Sequence, residues 1–513
     1  MRSMAVFLCM VLPWLNPFSF GPSPALVQGL VTLAAFALIL LWVQRALRAE
    51  LIASAWLTAA SISAVIGLLQ YFGVSAIFHP WVNTTELGEA FGNLRQRNQF
   101  ATLTNIGLAA LLWWPVREPA RAAGESAWRA HDWRIGAMAA ALLLALGNAA
   151  SSSRTGLLQL LLLLAMAWAW NRAGAKKRTS GQWPVLLAAA LAYLVAAFAL
   201  PVLAGLDLRG GGILARLHDG GSHCLSRWTL WSNVLHLIAQ KPWLGWGWGE
   251  LSYAHFMALY PGERFCDILD NAHNLPLHLA VELGVPLSAT VCGLAVWLVW
   301  RARPWHETDA TRQLAWAVLA LIMLHSMLEY PLWYGPFQLA FGLSLWLLWQ
   351  APAPRSENSG RSVRAPFVRP VWPTLALLLA VAYAGWDYFR ISQIYIDPAL
   401  RAEAYREDTL EKTRDSWLFR NQVRFAELTI STLTPENSGY LHDLALDLLH
   451  FSPEPRVAQV LIESATLLGL DKERQFYLLR YRKAFPQSHA LGLDDGEGAD
   501  LDPAADAAQL GQH

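Results

Sequence analysis

Apolar residues in this chain gather in long, nearly unbroken runs, with no strict alternation and no sustained heptad. A helix needs about 20 apolar residues to cross the hydrocarbon core of a bilayer. Eleven runs approach that length, at 4–20, 23–43, 51–73, 99–115, 134–150, 157–171, 183–205, 275–300, 312–328, 335–350 and 371–389. Each predicts a helix, so the expected fold is all-α, a polytopic membrane protein with about 11 transmembrane helices. The first run contains Pro13 and Pro17. No small-residue cleavage site precedes the next run, so a helix is expected there and not a signal peptide.

The polar stretches between the runs set orientation through their Lys and Arg. Arg2 and alternate connections (45–48, 117–134, 172–178, 301–312 and 355–369) carry 18 basic residues; the opposite short connections carry Arg95, Arg97 and Arg154. This asymmetry predicts a cytoplasmic N-terminus and an external C-terminus. Two larger segments then fall outside: a loop at 206–274, and 390–513, which has 13 basic and 20 acidic residues. From Pro398 to about Pro486 the apolar spacing is helical, with turn signals at Thr434–Asn437 and Ser452–Glu454. The expected domains are a membrane unit at 1–389, an external helical domain at 390–487 and a disordered acidic tail at 488–513.

Composition agrees. Of 513 residues, 55% are apolar and 15% charged, where an ordinary soluble protein has about 25% charged. A net charge of +1 gives no bulk attraction to nucleic acid, and no nucleic-acid partner is expected. Twenty-six Trp suit aromatic belts against membrane lipids. Of the four Cys, Cys9 and Cys292 sit in apolar runs, whereas Cys224 and Cys266 share the outer loop. An oxidising compartment would permit a disulfide between those two; two free thiols are the equal alternative.

Polar groups at membrane depth are expensive, so each is a functional candidate. They map to one side, in five clusters. Asn93, Gln96 and Asn98 lie in a donor-rich entry to the fourth run; a solvated helix cap is the plainer reading. Arg154 sits in Ser151-Ser152-Ser153-Arg154-Thr155-Gly156, a turn that suits phosphate oxygens or simple capping. The outer loop supplies Arg216, Arg227 and a Trp/Gly strip from Trp243 to Gly249, suited to sugar packing or interface anchoring. Asp270, His273 and Asn274 precede the eighth run, where a His beside an Asp can act as general base or as a polar anchor. His325, Glu329 and Tyr330 end the ninth run, with the first two spaced to share a helix face. No zinc spacing, P-loop or dinucleotide fingerprint occurs, so no metal or cofactor is expected.

These residues carry a resemblance. GNLRQRNQ (92–99), SSSRTG (151–156), SRWTLWSNVLHLIAQKPWLGWGWGE (226–250), DNAHNLPLHLAVELGVPLS (270–288) and HSMLEYPLWYGPF (325–337) resemble the bacterial protein O-oligosaccharyltransferases of the PglL/PilO type, within the O-antigen ligase superfamily. The middle motifs are shared across the superfamily; the first and last point to the protein-glycosylating branch. The resemblance implies an undecaprenyl-diphosphate-linked oligosaccharide donor and a periplasmic acceptor protein such as a pilin, glycosylated on Ser or Thr. It implies a bacterial inner-membrane location with the active site on the periplasmic face. His273 would be the catalytic histidine. Arg154 and Arg227 would hold the diphosphate, with Arg216 a further candidate. Gln96 and Tyr330 match polar positions of this branch.

Three alternatives stay open. An O-antigen ligase would use the same donor with a lipid A core acceptor, and a polymerase would extend the glycan. A lipid-linked sugar transporter is the third, but it should carry polar groups through the bilayer midplane.

Overall fold

The computed structural model describes residues 2–117, 127–173, 182–206, 212–213, 223–350 and 371–486. Arg216 and the acidic tail lie outside them. Among the described residues the protein is all-helical, with no strand. It divides into two compact units, one of residues 1–220 and 295–389, the other of 221–294 and 390 onward.

The first unit contains α1 (Arg2–Leu15), α2 (Pro24–Ala46), α3 (Ala49–Tyr71), α4 (Arg97–Arg117), α5 (Ala127–Ala150), α6 (Arg154–Arg172) and α7 (Gln182–Leu203). The second begins with α8 (Arg227–Gln240), α9 (Leu251–Met257) and α10 (Leu275–Leu283); α11 (Val285–Ala302) holds the division between them. The first unit then resumes with α12 (Ala310–Ser326), α13 (Gly335–Gln350) and α14 (Val371–Ser392). Helices therefore stand where the apolar runs predict them, with two corrections. The first ends at Leu15, ahead of Pro17, because a prolyl ring disfavours the helical region in the residue before it. The eighth run is two helices, broken at Gly284.

Ala49–Tyr71, Gln182–Leu203 and Val285–His306 are long and apolar enough to cross a membrane. Val296, Trp297 and Trp300 of α11 are all exposed, an apolar surface suited to lipid. At the centre of the first unit, α4 is buried all round from Gln99 to Trp113. It packs against α3, α5, α6 and α12, as a helix without a polar face must.

In the second unit, α15 (Arg420–Ile430), α16 (Ser438–Phe451), α17 (Pro455–Leu467) and α18 (Asp471–Ala484) form the expected helix hairpins. Leu441, Leu444, Leu448, Val457, Val460 and Leu461 make their shared core. Phe256 and Met257 of α9 belong to that same core. Buried Arg480 donates to the Met257 carbonyl at 3.0 Å, and His450 contacts Glu250 at 2.7 Å while stacking on Tyr253.

Candidate functional site

In the first unit the candidates converge on the first turns of α4. Asn98 Nδ2 donates to Glu329 Oε1 at 3.2 Å, and Ser153 Oγ donates to Asn98 Oδ1 at 2.6 Å. One turn further in, Thr102 Oγ1 lies 2.9 Å from His325 Nδ1 and accepts from Gln159 Nε2 at 2.9 Å. Asn105 reaches Gln159 Oε1 at 3.3 Å, and Asn148 reaches Asn105 Oδ1 at 3.4 Å. His325, Thr102, Gln159, Asn105 and Asn148 are all buried. These members pair mostly with one another, as buried polar groups must, and Asn148 Oδ1 alone of the amide oxygens here finds no partner among the described residues.

Sequence reasoning missed Thr102, Asn105, Asn148 and Gln159. The signal available was a single amide within an apolar run, as in Leu157-Leu158-Gln159-Leu160. The network extends from the end of α4 that carries Asn98 to about 12 Å along its axis. Nor is the other end bare, against the expectation of one-sided polarity. Gln182 donates to Leu112 O at 2.9 Å, and the Arg312–Glu307 ion pair closes at 2.6 Å.

Other predicted residues hold the backbone. Gln96 Oε1 accepts from Gln99 N at 2.7 Å, capping α4. Ser153 caps α6 by accepting from Gly156 N at 3.0 Å, leaving Arg154 exposed on the first turn. Gly156 is required there, since an added Cβ would come 2.3 Å from Asn148 Oδ1. Asn93 is buried and bridges Leu15 O and Trp81 O. Glu329 lies beyond the end of α12, yet its N–H still donates to His325 O at 2.8 Å, so the two keep their helical spacing. Tyr330 stacks on Tyr334 at 5.9 Å.

The second unit holds Arg227 and His273. Ser226 caps α8 by accepting from Thr229 N, which places Arg227 in the first turn. The loop that carries His273 is tied to α8 by three bonds: Trp231 Nε1 donates to Ala272 O at 3.1 Å, Asn233 Nδ2 to Glu263 O at 2.9 Å, and Phe265 N to Asn233 Oδ1 at 2.8 Å. The Cys224–Cys266 disulfide adds a covalent tie between the segment ahead of α8 and this loop. His255 is buried 2.7 Å from Tyr260 Oη, and Arg264 donates to its carbonyl. Burial, and then the Arg264 charge, hold the His255 imidazole well below its usual range, so it stays neutral.

His273 itself has φ +50°, a left-handed conformation rare outside glycine, and its N–H donates to Asn271 Oδ1 at 2.9 Å. Asp270 is exposed, and Asn274 caps α10 by accepting from Leu277 N. The Trp/Gly strip packs by its backbone: Trp246 N donates to Val281 O at 2.8 Å and Gly247 N to Glu282 O at 3.0 Å. Gly284 stands at the break with φ +85°, and a Cβ there would sit 2.2 Å from Trp243 O, so both the conformation and the close approach require glycine. Trp243 and Trp248 project outward, exposed.

Three family matches cover these residues. Residues 90–114 match a family described as protein glycosylation ligase, 139–292 the O-antigen ligase family, and 313–493 the C-terminal part of the virulence factor membrane-bound polymerases. A general O-oligosaccharyltransferase of Acinetobacter baylyi (strain ATCC 33305 / BD413 / ADP1) is 29% identical over 172 residues, 33% of this chain and 29% of that protein. The matched stretch thus spans less than a third of that relative. No solved structure matches. By these matches the chain is similar to the O-oligosaccharyltransferases of the O-antigen ligase superfamily.

Proposed function

We propose that this protein transfers an oligosaccharide en bloc from undecaprenyl diphosphate to a Ser or Thr hydroxyl of a periplasmic protein such as a pilin. It would act at the periplasmic face of the inner membrane, with eleven spans and a cytoplasmic N-terminus. One observation carries the reading: Arg227 and His273, both within the O-antigen ligase match, are held on one scaffold by α8 and a disulfide.

In this reading the acceptor oxygen attacks the anomeric carbon while the bond to the diphosphate breaks. The hydroxyl proton passes to the imidazole of His273, and the diphosphate departs with the bonding electron pair. Arg227 absorbs the charge that develops there, the kind of fixed electrostatics that often dominates catalysis. Direct displacement inverts the anomeric centre; retention in the product, read from an NMR coupling constant, would sink that step.

The polymerase match at 313–493 favours a second reading, in which the same donor chemistry extends a glycan. The test is reconstitution with lipid-linked oligosaccharide and either a pilin-like acceptor or lipid A core. Intact-mass spectrometry should find one glycan on the protein, lost by 10²–10⁴-fold in His273→Ala. Transfer to lipid A core alone would make it a ligase, and glycan elongation alone a polymerase.

A further inference from the structure

A cleft of about 600 Å³ opens in the first unit, between the segment after α1, residues 79–85 and residues 91–95. Its volume lies within the range of ordinary small-ligand sites. Two buried amides build its walls. Gln70 donates to Asn83 O at 2.7 Å and Gly92 O at 2.9 Å, and accepts from Phe91 N at 3.0 Å and Gly92 N at 2.8 Å. Asn93 donates to Leu15 O and Trp81 O and accepts from Asn83 N at 3.2 Å. Gln70 ties residues 83 and 91–92 together and Asn93 adds the end of α1, so the three segments are fixed before any ligand arrives.

The lining mixes aromatic faces, Phe18 and Phe91, with hydroxyl and guanidinium groups of Thr84, Thr85 and Arg95. Ser19 Oγ is buried in this wall with no hydrogen-bond partner among the described residues. Thr85 Oγ1 donates to Glu89 O at 3.0 Å and Arg95 to Pro17 O at 3.2 Å, whereas a lipid tail would leave Ser19 Oγ unpaired, at a cost that grows with burial. A sugar answers both halves of the lining: its hydroxyls pair with polar groups while its C–H faces lie on the rings.

We propose that this cleft is a saccharide-binding site. The saccharide is either the glycan part of the donor, an assignment that rests on the transferase reading, or a free saccharide.

The test is saturation-transfer NMR on the full chain in nanodiscs with free maltotriose, triacetylchitotriose and trigalacturonate. Thr84 is exposed, so Thr84→Trp fills the cleft without touching the core. Wild type and Thr84→Ser should transfer saturation to at least one of these sugars, with the signal cut at least about fivefold in Thr84→Trp and in Arg95→Ala. His273→Ala should keep the signal, so loss of transfer chemistry is told apart from loss of this site. A KM for lipid-linked donor raised about fivefold in Thr84→Trp, with kcat kept, assigns the cleft to the donor's glycan; an unchanged KM assigns it to free saccharide. Equal saturation in wild type and Thr84→Trp, or none in wild type from any of the three sugars, overturns the proposal.

Discussion

Asn98 and Thr102, one turn apart on α4, face Glu329 and His325, one turn apart at the end of α12. The paired spacing locks the register of the two helices where the first unit is most polar. Asn98 also accepts from Ser153, so removing it takes one hydrogen bond from Ser153 and one from Glu329. Asn98→Ala should destabilise by about 1–2 kcal/mol, the loss of two half-buried hydrogen bonds. Glu329→Gln, which can still accept from Asn98, should cost less than half as much. Melting curves in one detergent compare the two, and a Glu329→Gln loss equal to that of Asn98→Ala would contradict this account.

Asn271 supports His273 in its left-handed conformation by accepting from its N–H at 2.9 Å. Such a conformation costs roughly 1–3 kcal/mol and persists only where its surroundings enforce it. Asn271→Ala should therefore lower kcat about tenfold while leaving melting nearly unchanged, and Asn271→Asp, which keeps the acceptor, should restore most of the rate. A fall in KM-linked binding alone, with kcat intact, would deny Asn271 a positioning role.

The disulfide joins the residue three before Arg227 to the residue seven before His273. Removing a native disulfide commonly costs about 2–5 kcal/mol. Cys224→Ser with Cys266→Ser should lower the melting temperature and, by loosening the two segments proposed for donor and acceptor, lower turnover more than it lowers donor binding. Reducing agent on wild type should reproduce both effects, and no effect on the double variant confirms the target thiols.

Much of the architecture was legible because apolar runs of helical length leave the chain few alternatives. The hairpins at 420–484 followed from Leu441, Leu444 and Val457 spacing and from the Pro-bearing turns between them. The break at Gly284 was hidden, because Val285-Pro286-Leu287 continues the apolar run; the close approach of the distant Trp243 carbonyl, which requires glycine there, is something a periodicity cannot reveal. Likewise, the sequence placed Asn98 and Glu329 in separate clusters 231 residues apart, and only packing of α4 on α12 joins them. Asn105, Asn148 and Gln159 escaped notice because a lone amide in a leucine-rich run carries no motif, and its meaning comes from its partners.

Glu282 predicts an unusual dependence on pH. It is buried at the end of α10, ahead of the apolar helix that starts at Val285. Burial, opposed by the Gly249 N–H and aided by Glu250, pushes its carboxyl up from 4.5 to about 7. His278 lies 3.4 Å away, and burial together with His273 pushes its imidazole down from 6.5 to about 4. Near neutrality the pair is therefore a neutral histidine beside a carboxyl that is partly protonated, not a salt bridge. For Glu282 the folded pKa exceeds the unfolded one, so its share of stability is complete below about 4.5 and is lost as pH rises through about 7. For His278 the folded pKa is the lower, so its share is complete above 6.5 and is lost as pH falls towards 4. The two slopes oppose each other in the interval between, which flattens the wild-type curve. Glu282→Gln removes the first slope alone. The variant should match wild type at pH 4 and exceed it at pH 8 by up to about 3 kcal/mol, seen as a higher melting temperature in the same detergent. Melting below wild type at pH 8 would mean that the ionised carboxylate is itself stabilised in the fold, and the direction argued from its burial would be wrong.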